Sequence, residues 1–286
     1  MNAATVVIPA RNAVATLGLQ LDALAAQIGG VDFDVVVVDN ASTDGTGDYA
    51  RAFRTERFNL RVVEEVRLGI NFARNAGTEA ASAGPVLLCD ADDIVCKSWV
   101  QSMVAALEPG CWVGGVIDYT GLNSEQTRRV WGAPERSSIS EAEPSVDRTF
   151  GCNCGFTREM WDRIGRFDDR LSGIGGDETE FFMRAYAQGY RPRLAAEAIV
   201  SYRLRPGIRN MCRQRFRQGR NHAKMSRLPG GRTGLALPSE TATWRSIAKL
   251  LVLSPTYAIS SPRRLLWLSA ISRHLGRSAG YRSDAF

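Results

Sequence analysis

Through the first half of this chain, short continuous apolar runs alternate with stretches whose apolar positions repeat every three or four residues. The runs are Thr5-Val6-Val7-Ile8-Pro9 and residues 33–38, 60–64 and 86–90. Runs this short, without in-and-out alternation, predict strands of a parallel sheet covered on both faces. Between them, Leu17, Leu21, Leu24 and Ile28 mark a helix that Gly29-Gly30 stops. Ser42, Thr43 or Asp44 supplies a cap for a second helix, and Gly69 to Gly77 opens a third. A helix over 98–107 and a strand over 112–119 follow. Residues 121–147 are polar and contain proline, which predicts a long irregular insertion. Then come a strand over 150–156, a helix over 158–164, a turn at 165–169 and a glycine-rich loop over 173–178. A helix over 180–188 and a last strand over 194–203 complete the pattern. From Arg209 onward it is helical and basic.

The chain has 286 residues, 44% of them hydrophobic, enough to bury a large core. No apolar stretch reaches the roughly 18 residues of a membrane span. Met1 to Thr5 has neither a basic nor a long apolar region, so no signal peptide is expected. Six scattered cysteines, with Cys152 and Cys154 as a lone CxC, fit reduced thiols in a cytoplasmic protein rather than structural zinc. Charge changes the picture more. Up to residue 190 there are 17 Lys+Arg against 27 Asp+Glu; from residue 191 there are 19 against 3. A basic tail on an acidic body implies an anionic partner such as a phosphorylated substrate or an anionic membrane. No nucleic-acid module accompanies the charge, so nucleic acid is not expected as the partner.

The candidate chemistry centres on Val86-Leu87-Leu88-Cys89-Asp90-Ala91-Asp92-Asp93, a buried run that ends in acids. Asp90 and Asp92 alternate, so both can point to one side at the strand end. Carboxylates converging there repel unless a cation lies between them, and a few hard oxygen ligands suit Mg²⁺ or Mn²⁺. The same acids could instead cap the helix over 98–107. Acids at the C-terminal ends of alternating strands lie where open α/β sheets bind ligands.

Six motifs then stand in one order: Val7-Ile8-Pro9-Ala10-Arg11-Asn12; Val37-Val38-Asp39-Asn40-Ala41-Ser42-Thr43-Asp44-Gly45-Thr46; Gly69 with Ala73-Arg74-Asn75-Ala76-Gly77; Leu88-Cys89-Asp90-Ala91-Asp92-Asp93; Gly151-Cys152-Asn153-Cys154-Gly155-Phe156 with Ile164-Gly165-Arg166-Phe167-Asp168; and Gly176-Asp177-Glu178-Thr179-Glu180. In this order the chain resembles the family 2 inverting glycosyltransferases over roughly residues 4–205. The resemblance implies an α/β GT-A fold, a Rossmann-like, mostly parallel sheet flanked by helices. It implies transfer from a nucleotide-diphosphate sugar, of UDP or dTDP type, to an acceptor hydroxyl in glycan or glycolipid assembly. By the same resemblance Pro9, Arg11, Asp39 and Asn40 belong to the base-binding part of the pocket. The family often has a second Asp where Asn40 stands. Arg74 meets the diphosphate or ribose, and Asp90, Ala91 and Asp92 are the DxD. Asp92 would ligate Mn²⁺ or Mg²⁺, Asp90 would hold the ribose or support the metal, and Asp93 is the adjacent candidate. Asp177-Glu178 reverses the family's usual Glu-Asp order. By register Glu178 is the base and Asp177 its neighbour, although acids there also favour a helix N-terminus. His222 corresponds to a C-terminal His that some metal-dependent members place on the cation, while Tyr202 stands near the place where many members have a His.

Residues 1–208 therefore form the expected catalytic domain and residues 209–286 a basic helical extension. In the extension Arg209, Arg213, Arg217 and Arg220 share one helical face. Trp244, Ile247, Leu250, Leu251 and Leu253, then Leu265, Leu266, Trp267, Leu268 and Ile271, lie among Arg263, Arg264, Arg273 and Arg277. Such amphipathic helices either dock on the cytoplasmic face of an anionic membrane that presents a lipid-linked acceptor, or pack on the catalytic domain or at a homodimer interface. A nucleotidyltransferase would need a glycine-rich, lysine-bearing loop near the N-terminus, and none is present. A degenerate glycosyltransferase-like scaffold is the non-enzymatic alternative.

Overall fold

The structure is a computed structural model that describes residues 4–139, 150–171, 175–228, 239–257 and 260–282. Four strands, β1 (Ala4–Ala10), β2 (Phe33–Asp39), β3 (Leu60–Glu64) and β4 (Pro85–Cys89), pair in parallel in the order β3-β2-β1-β4. The sheet continues through β8 (Asn153–Thr157), antiparallel to β4, then β6 (Cys111–Asp118), β9 (Arg191–Ser201) and the two-residue β5 (Ile94–Val95). The β7 strand (Arg136–Ser138) borders β6. This is the mostly parallel α/β sheet expected from the apolar runs.

Those runs are continuous because both faces are covered. Successive residues of a strand point to opposite sides, and β2 shows it directly. Val35 and Val37 enter one core with Leu17, Leu21, Leu24, Leu87, Trp99 and Met103. Val36 and Val38 enter the other, with Val7, Leu88, Phe156, Phe167, Phe181 and Phe182. The helices on the sheet include α1 (Leu17–Ala25), α2 (Thr46–Ala52), α3 (Ile70–Ala80), α4 (Trp99–Ala106), α6 (Arg158–Ile164) and α7 (Asp177–Ala187).

Several expectations shift. Pro9 does not end β1, which runs to Ala10. Pairing with β4 covers only Thr5 to Val7, so Pro9 lies where β1 has one strand neighbour. The first helix ends at Ala25, and Ile28 is exposed. The predicted insertion contains α5 (Glu125–Trp131) and β7. Ser124 caps α5 by accepting from the Thr127 N–H, and Gly132 ends it in the left-handed region. Residues 140–147 of that stretch, and 173–174 of the glycine-rich loop, lie outside the described residues. The acid pair lies inside α7, not before it, because Gly176 turns the chain at φ 110° and the helix starts at Asp177.

The basic segment forms α8 (Ile208–Ser226), α9 (Glu240–Val252), α10 (Ser254–Tyr257) and α11 (Ser261–Arg282). The α8 and α11 helices cross backbone to backbone. A Cβ on Gly219 would meet the Arg273 carbonyl, and one on Gly276 would meet the Phe216 carbonyl. This crossing fixes the rotation of α8 about its own axis. Trp267 Nε1 donates to the Leu250 carbonyl at 2.9 Å and ties α11 to α9. Ile247 and Ile271 are buried, while Leu251, Val252 and Leu266 are exposed. Packing on the rest of the protein thus accounts for part of the apolar tail only.

Candidate active site

Two loops at the C-terminal ends of β1 and β2 brace each other. Asn12, at φ 50°, donates its N–H to Ser42 Oγ at 3.0 Å and accepts from the Thr43 N–H at 2.9 Å. The Ala13 N–H donates to Thr46 Oγ1 at 2.8 Å, and the Val14 N–H to Asp44 Oδ2 at 3.1 Å. The Ser-Thr-Asp-Gly-Thr motif therefore acts as a brace for the Pro9–Asn12 turn. Hydrogen bonding from Thr46, partly offset by burial, holds the Asp44 carboxyl below its ordinary range. Asn40 is likewise committed. Its Nδ2 donates to the carbonyls of Glu65 (3.0 Å) and Arg67 (2.6 Å), and its Oδ1 accepts from the Gly69 N–H (3.0 Å). It pins the loop between β3 and α3. Asp39 Oδ1 accepts from the Ser42 N–H at 3.0 Å.

The acid cluster follows β4. Gln20, fully buried, donates to the Asp90 carbonyl at 3.3 Å and accepts from the Val95 N–H at 3.0 Å, fixing the loop from beneath. Arg203 fastens it from above: its N–H donates to Asp93 Oδ1 and its Nε to the Asp92 carbonyl, both at 2.8 Å. Asp90 Oδ1 and Asp93 Oδ2 are buried without a hydrogen-bond partner. Ligand atoms of Asp90, Asp93 and Cys152 lie within 4.8 Å of one another. Burial lifts Asp90 to about 6, helped by the charges of Asp92 and Asp177 and opposed by Arg74. Burial also lifts Asp92, against Arg205, and lifts Asp93 well above its ordinary value, helped by Asp90 and Asp92. Acids that raise one another, with Asp90 Oδ1 and Asp93 Oδ2 buried and lacking a hydrogen-bond partner, fit a cation between them. Two of the three grouped residues are carboxylates, hard oxygen donors that suit Mn²⁺ or Mg²⁺.

The third group unites α3 with α7. Arg74 is 3% exposed and donates from Nη1 to Asp177 Oδ2 at 2.5 Å and to Glu178 Oε2 at 3.4 Å, while Nη2 lies 3.8 Å from Asp90 Oδ1. Burial works against the guanidinium charge, and the three carboxylates more than offset it. Gly151 leaves the room, since a Cβ there would meet the Arg74 guanidinium. Neighbouring Asn71 and Asn75 donate to the carbonyls of Asp168 and Phe167, both at 2.9 Å, which joins the Arg-Asn motif of α3 to the turn before α7. Asp177 is 1% exposed and Glu178 16%. Burial pushes Glu178 well up, with the Asp177 charge adding and Arg74 opposing.

These groups line two cavities that share Ile70 and Asp90. The first, about 890 Å³, is lined by Pro9, Arg11, Asn40, Asp90, Ala91 and Asp92 together with Arg203, Arg205, Arg217 and Arg220. Asp39 is not part of its lining. The second, about 420 Å³, holds Arg74, Asp177, Glu178 and His222 beside Tyr119, Trp131 and Tyr202. Both volumes suit small-molecule sites. The structure thus puts Arg74 with the acid pair and His222 in the second cavity, which Asp90 and Cys152 also line, and His222 is not part of the Asp90, Asp93 and Cys152 group of ligand atoms. The sequence reading passed over Gln20, whose buried amide in an apolar helix was the available signal, and it passed over Arg203 and Arg205.

A GT-A-type sheet with an acid cluster at a strand end and a carboxylate pair beyond it defines a nucleotide-sugar-binding transferase. The family model of glycosyl transferase family 2 matches residues 5–165, and the chain belongs to that family. It is 26% identical over 225 residues to the glycosyltransferase AglE of Haloferax volcanii, covering 77% of this chain and 73% of that one. It is 30% identical over 227 residues to validoxylamine A glucosyltransferase of Streptomyces hygroscopicus subsp. jinggangensis, where the match covers 68% of this chain and spans about half of the relative, 54%. In fold it is similar to the mannosyltransferase PcManGT from Pyrobaculum calidifontis, solved with GDP-Man and Mn²⁺ (TM-score 0.67, 21% identity, 98% of this chain and 87% of that one). It is also similar to TarS of S. aureus in complex with UDP (TM-score 0.56, 18% identity, 98% of this chain and 90% of that one). The protein is a glycosyltransferase.

Proposed function

We propose that this glycosyltransferase moves a sugar from a nucleoside-diphosphate donor to an acceptor hydroxyl with inversion, in the assembly of a glycan or glycolipid. The observation that carries this reading is the pair of cavities meeting at Asp90, one with the acid cluster and the other with Glu178. The donor fits the first cavity, its pyrimidine base at Pro9 and Arg11, beside the loop that Asn40 pins. Glu178, in the second, takes the proton of the acceptor hydroxyl as its oxygen bonds to the anomeric carbon and the diphosphate departs with the electron pair of the broken bond. Asp177 and Arg74 hold Glu178 in place. Asp92 and Asp90, with Asp93 behind them, would hold Mn²⁺ or Mg²⁺, which supplies charge stabilisation for the leaving diphosphate. Calorimetry with UDP, dTDP and GDP, with and without Mn²⁺, is the test. Mn²⁺ should strengthen binding of UDP or dTDP, and Asp92→Ala should remove at least about tenfold of that affinity, about 1.4 kcal/mol. A preference for GDP overturns the pyrimidine assignment, and indifference to Mn²⁺ and to Asp92→Ala overturns the metal.

The same reading places the protein peripherally on an anionic membrane surface, where a lipid-linked acceptor would be met. Among the described residues no helix is long and apolar enough to cross a membrane. Support comes from the exposed Leu251, Val252 and Leu266 beside the exposed cations Arg245, Lys249, Arg263 and Arg264. Shallow burial of apolar side chains adds to about 1 kcal/mol per basic residue near anionic lipid. Co-sedimentation with phosphatidylglycerol vesicles should exceed that with phosphatidylcholine and fall with salt. Replacing Leu251, Val252 and Leu266 by serine should abolish it. If those replacements instead dissociate a dimer and leave lipid binding unchanged, the patch is a subunit interface.

A further inference from the structure

The charge around the first cavity goes beyond what a metal-only diphosphate site needs. Asp90 and Asp92 share its lining with Arg205, Arg217 and Arg220, and among the described residues none of these three arginines has a carboxylate within 4.0 Å. Arg217 and Arg220 are three apart on α8 and so adjoin on its surface. Three unpaired arginines converging on a strand-end cavity are a recognition arrangement, because the planar guanidinium donates in pairs to phosphate oxygens.

Their aim is built in. Gly219 lies against the α11 backbone, on the side of α8 away from Arg217. Asn221, 4% exposed, donates to the Gly175 carbonyl at 3.0 Å and joins α8 to the loop that presents Asp177 and Glu178. At about 100° per residue, Arg217, Arg220 and Asn221 share one sector of the helix. Gln214, Arg215, Gln218 and His222 occupy the next sector and line the second cavity. One helix of the basic segment is thus a common wall of both cavities.

We propose that Arg205, Arg217 and Arg220, which line the cavity with the acids, clamp the diphosphate of the donor, so that nucleoside diphosphate is retained without a divalent cation. This rests on the donor reading of the first cavity. It makes the start of the basic segment part of the binding site and assigns its charge to the substrate before any membrane. The clamp holds the diphosphate before transfer and keeps it neutralised once it has left.

The test is UDP binding, with GDP in parallel, by calorimetry in EDTA and in Mn²⁺. In EDTA the wild type should still bind, and more weakly as salt rises. Arg217→Gln with Arg220→Gln should cost tenfold or more there, and Arg205→Gln should act in the same direction. All three arginines are exposed, so the melting temperature should not move. A double variant with Arg209→Gln and Arg213→Gln, exposed on the same helix and outside the cavity lining, removes equal charge and should change binding less than twofold. Equal losses in the two double variants overturn the clamp in favour of a general field. Wild-type binding that needs Mn²⁺ absolutely overturns it while leaving the donor reading intact. No binding of either nucleotide under any condition overturns both.

Discussion

Glu178→Gln should lower turnover by about 10²-fold to 10⁴-fold, the range of a general base, with nucleotide affinity unchanged. The substitution keeps the shape and removes the proton acceptor. Glu178 suits the role better than Asp177 on geometry. It is 16% exposed in a cavity, whereas Asp177 is 1% exposed and bound to Arg74 at 2.5 Å. Its environment also strengthens it as a base: burial raises its carboxyl well above the ordinary value, the Asp177 charge adds, and Arg74 only partly opposes. A base works in its ionised form, so kcat/KM should climb with pH along an acidic limb displaced above the normal carboxylate range. That limb should vanish in Glu178→Gln. Steady-state kinetics across pH, beside calorimetry of the donor nucleotide, checks both parts. If Asp177→Asn instead removes the limb and Glu178→Gln retains it, the roles are exchanged.

The parallel half of the sheet was legible because the signal there is local. Each strand is a short apolar run that must fill two cores at once, as Val35 to Val38 do. The acid motifs were legible because they end those strands. The α5 helix was not, since among its seven residues only Trp131 is buried and no apolar period announces it; its caps, Ser124 and Gly132, were the only local signs. The start of α7 was misplaced because Gly176 reads equally as loop or as a left-handed entry to a helix. Harder still were roles set by distant partners. Asn40 reads as a base-binding residue until Glu65, Arg67 and Gly69 are found to use up its amide. Arg217 and Arg220 read only as part of one basic helical face with Arg209 and Arg213 until Gly219 against α11 turns them to the cavity. The partners that decide these roles, Glu65 to Gly69 for Asn40 and α11 for Gly219, lie about 25 or more positions away in the chain.

Arg74 shows the same limit most sharply, with its strongest partner 103 positions away, and replacing it should be the most destabilising change in the site. In Arg74→Met, Asp177, Glu178 and Asp90 keep their burial and lose their common cation. Breaking a buried pair by removing one partner costs about 3–5 kcal/mol, because the remaining charge is uncompensated. For a chain of this size that is a fall in Tm on the order of 10 °C. The loss should depend on pH with a definite sign. Asp90 and Glu178 are already raised by burial against the opposing charge of Arg74, and without Arg74 their folded pKa values lie further above the unfolded ones. Stability from such groups is fully present below the unfolded pKa and is lost as pH rises through the folded pKa. The gap between variant and wild type should therefore be wide at pH 8 and narrow at pH 5, measured by thermal denaturation in EDTA so that no cation substitutes. Adding Asp177→Asn to Arg74→Met should recover part of the loss, because it removes the charge left stranded; summed independently, the two changes would only worsen it. Arg74→Lys keeps the charge but cannot reach Asp177 and Asp90 with separate nitrogens, so it should fall between. An Arg74→Met protein within about 1 kcal/mol of wild type at pH 8 would show that Arg74 does not hold the carboxylate pair together.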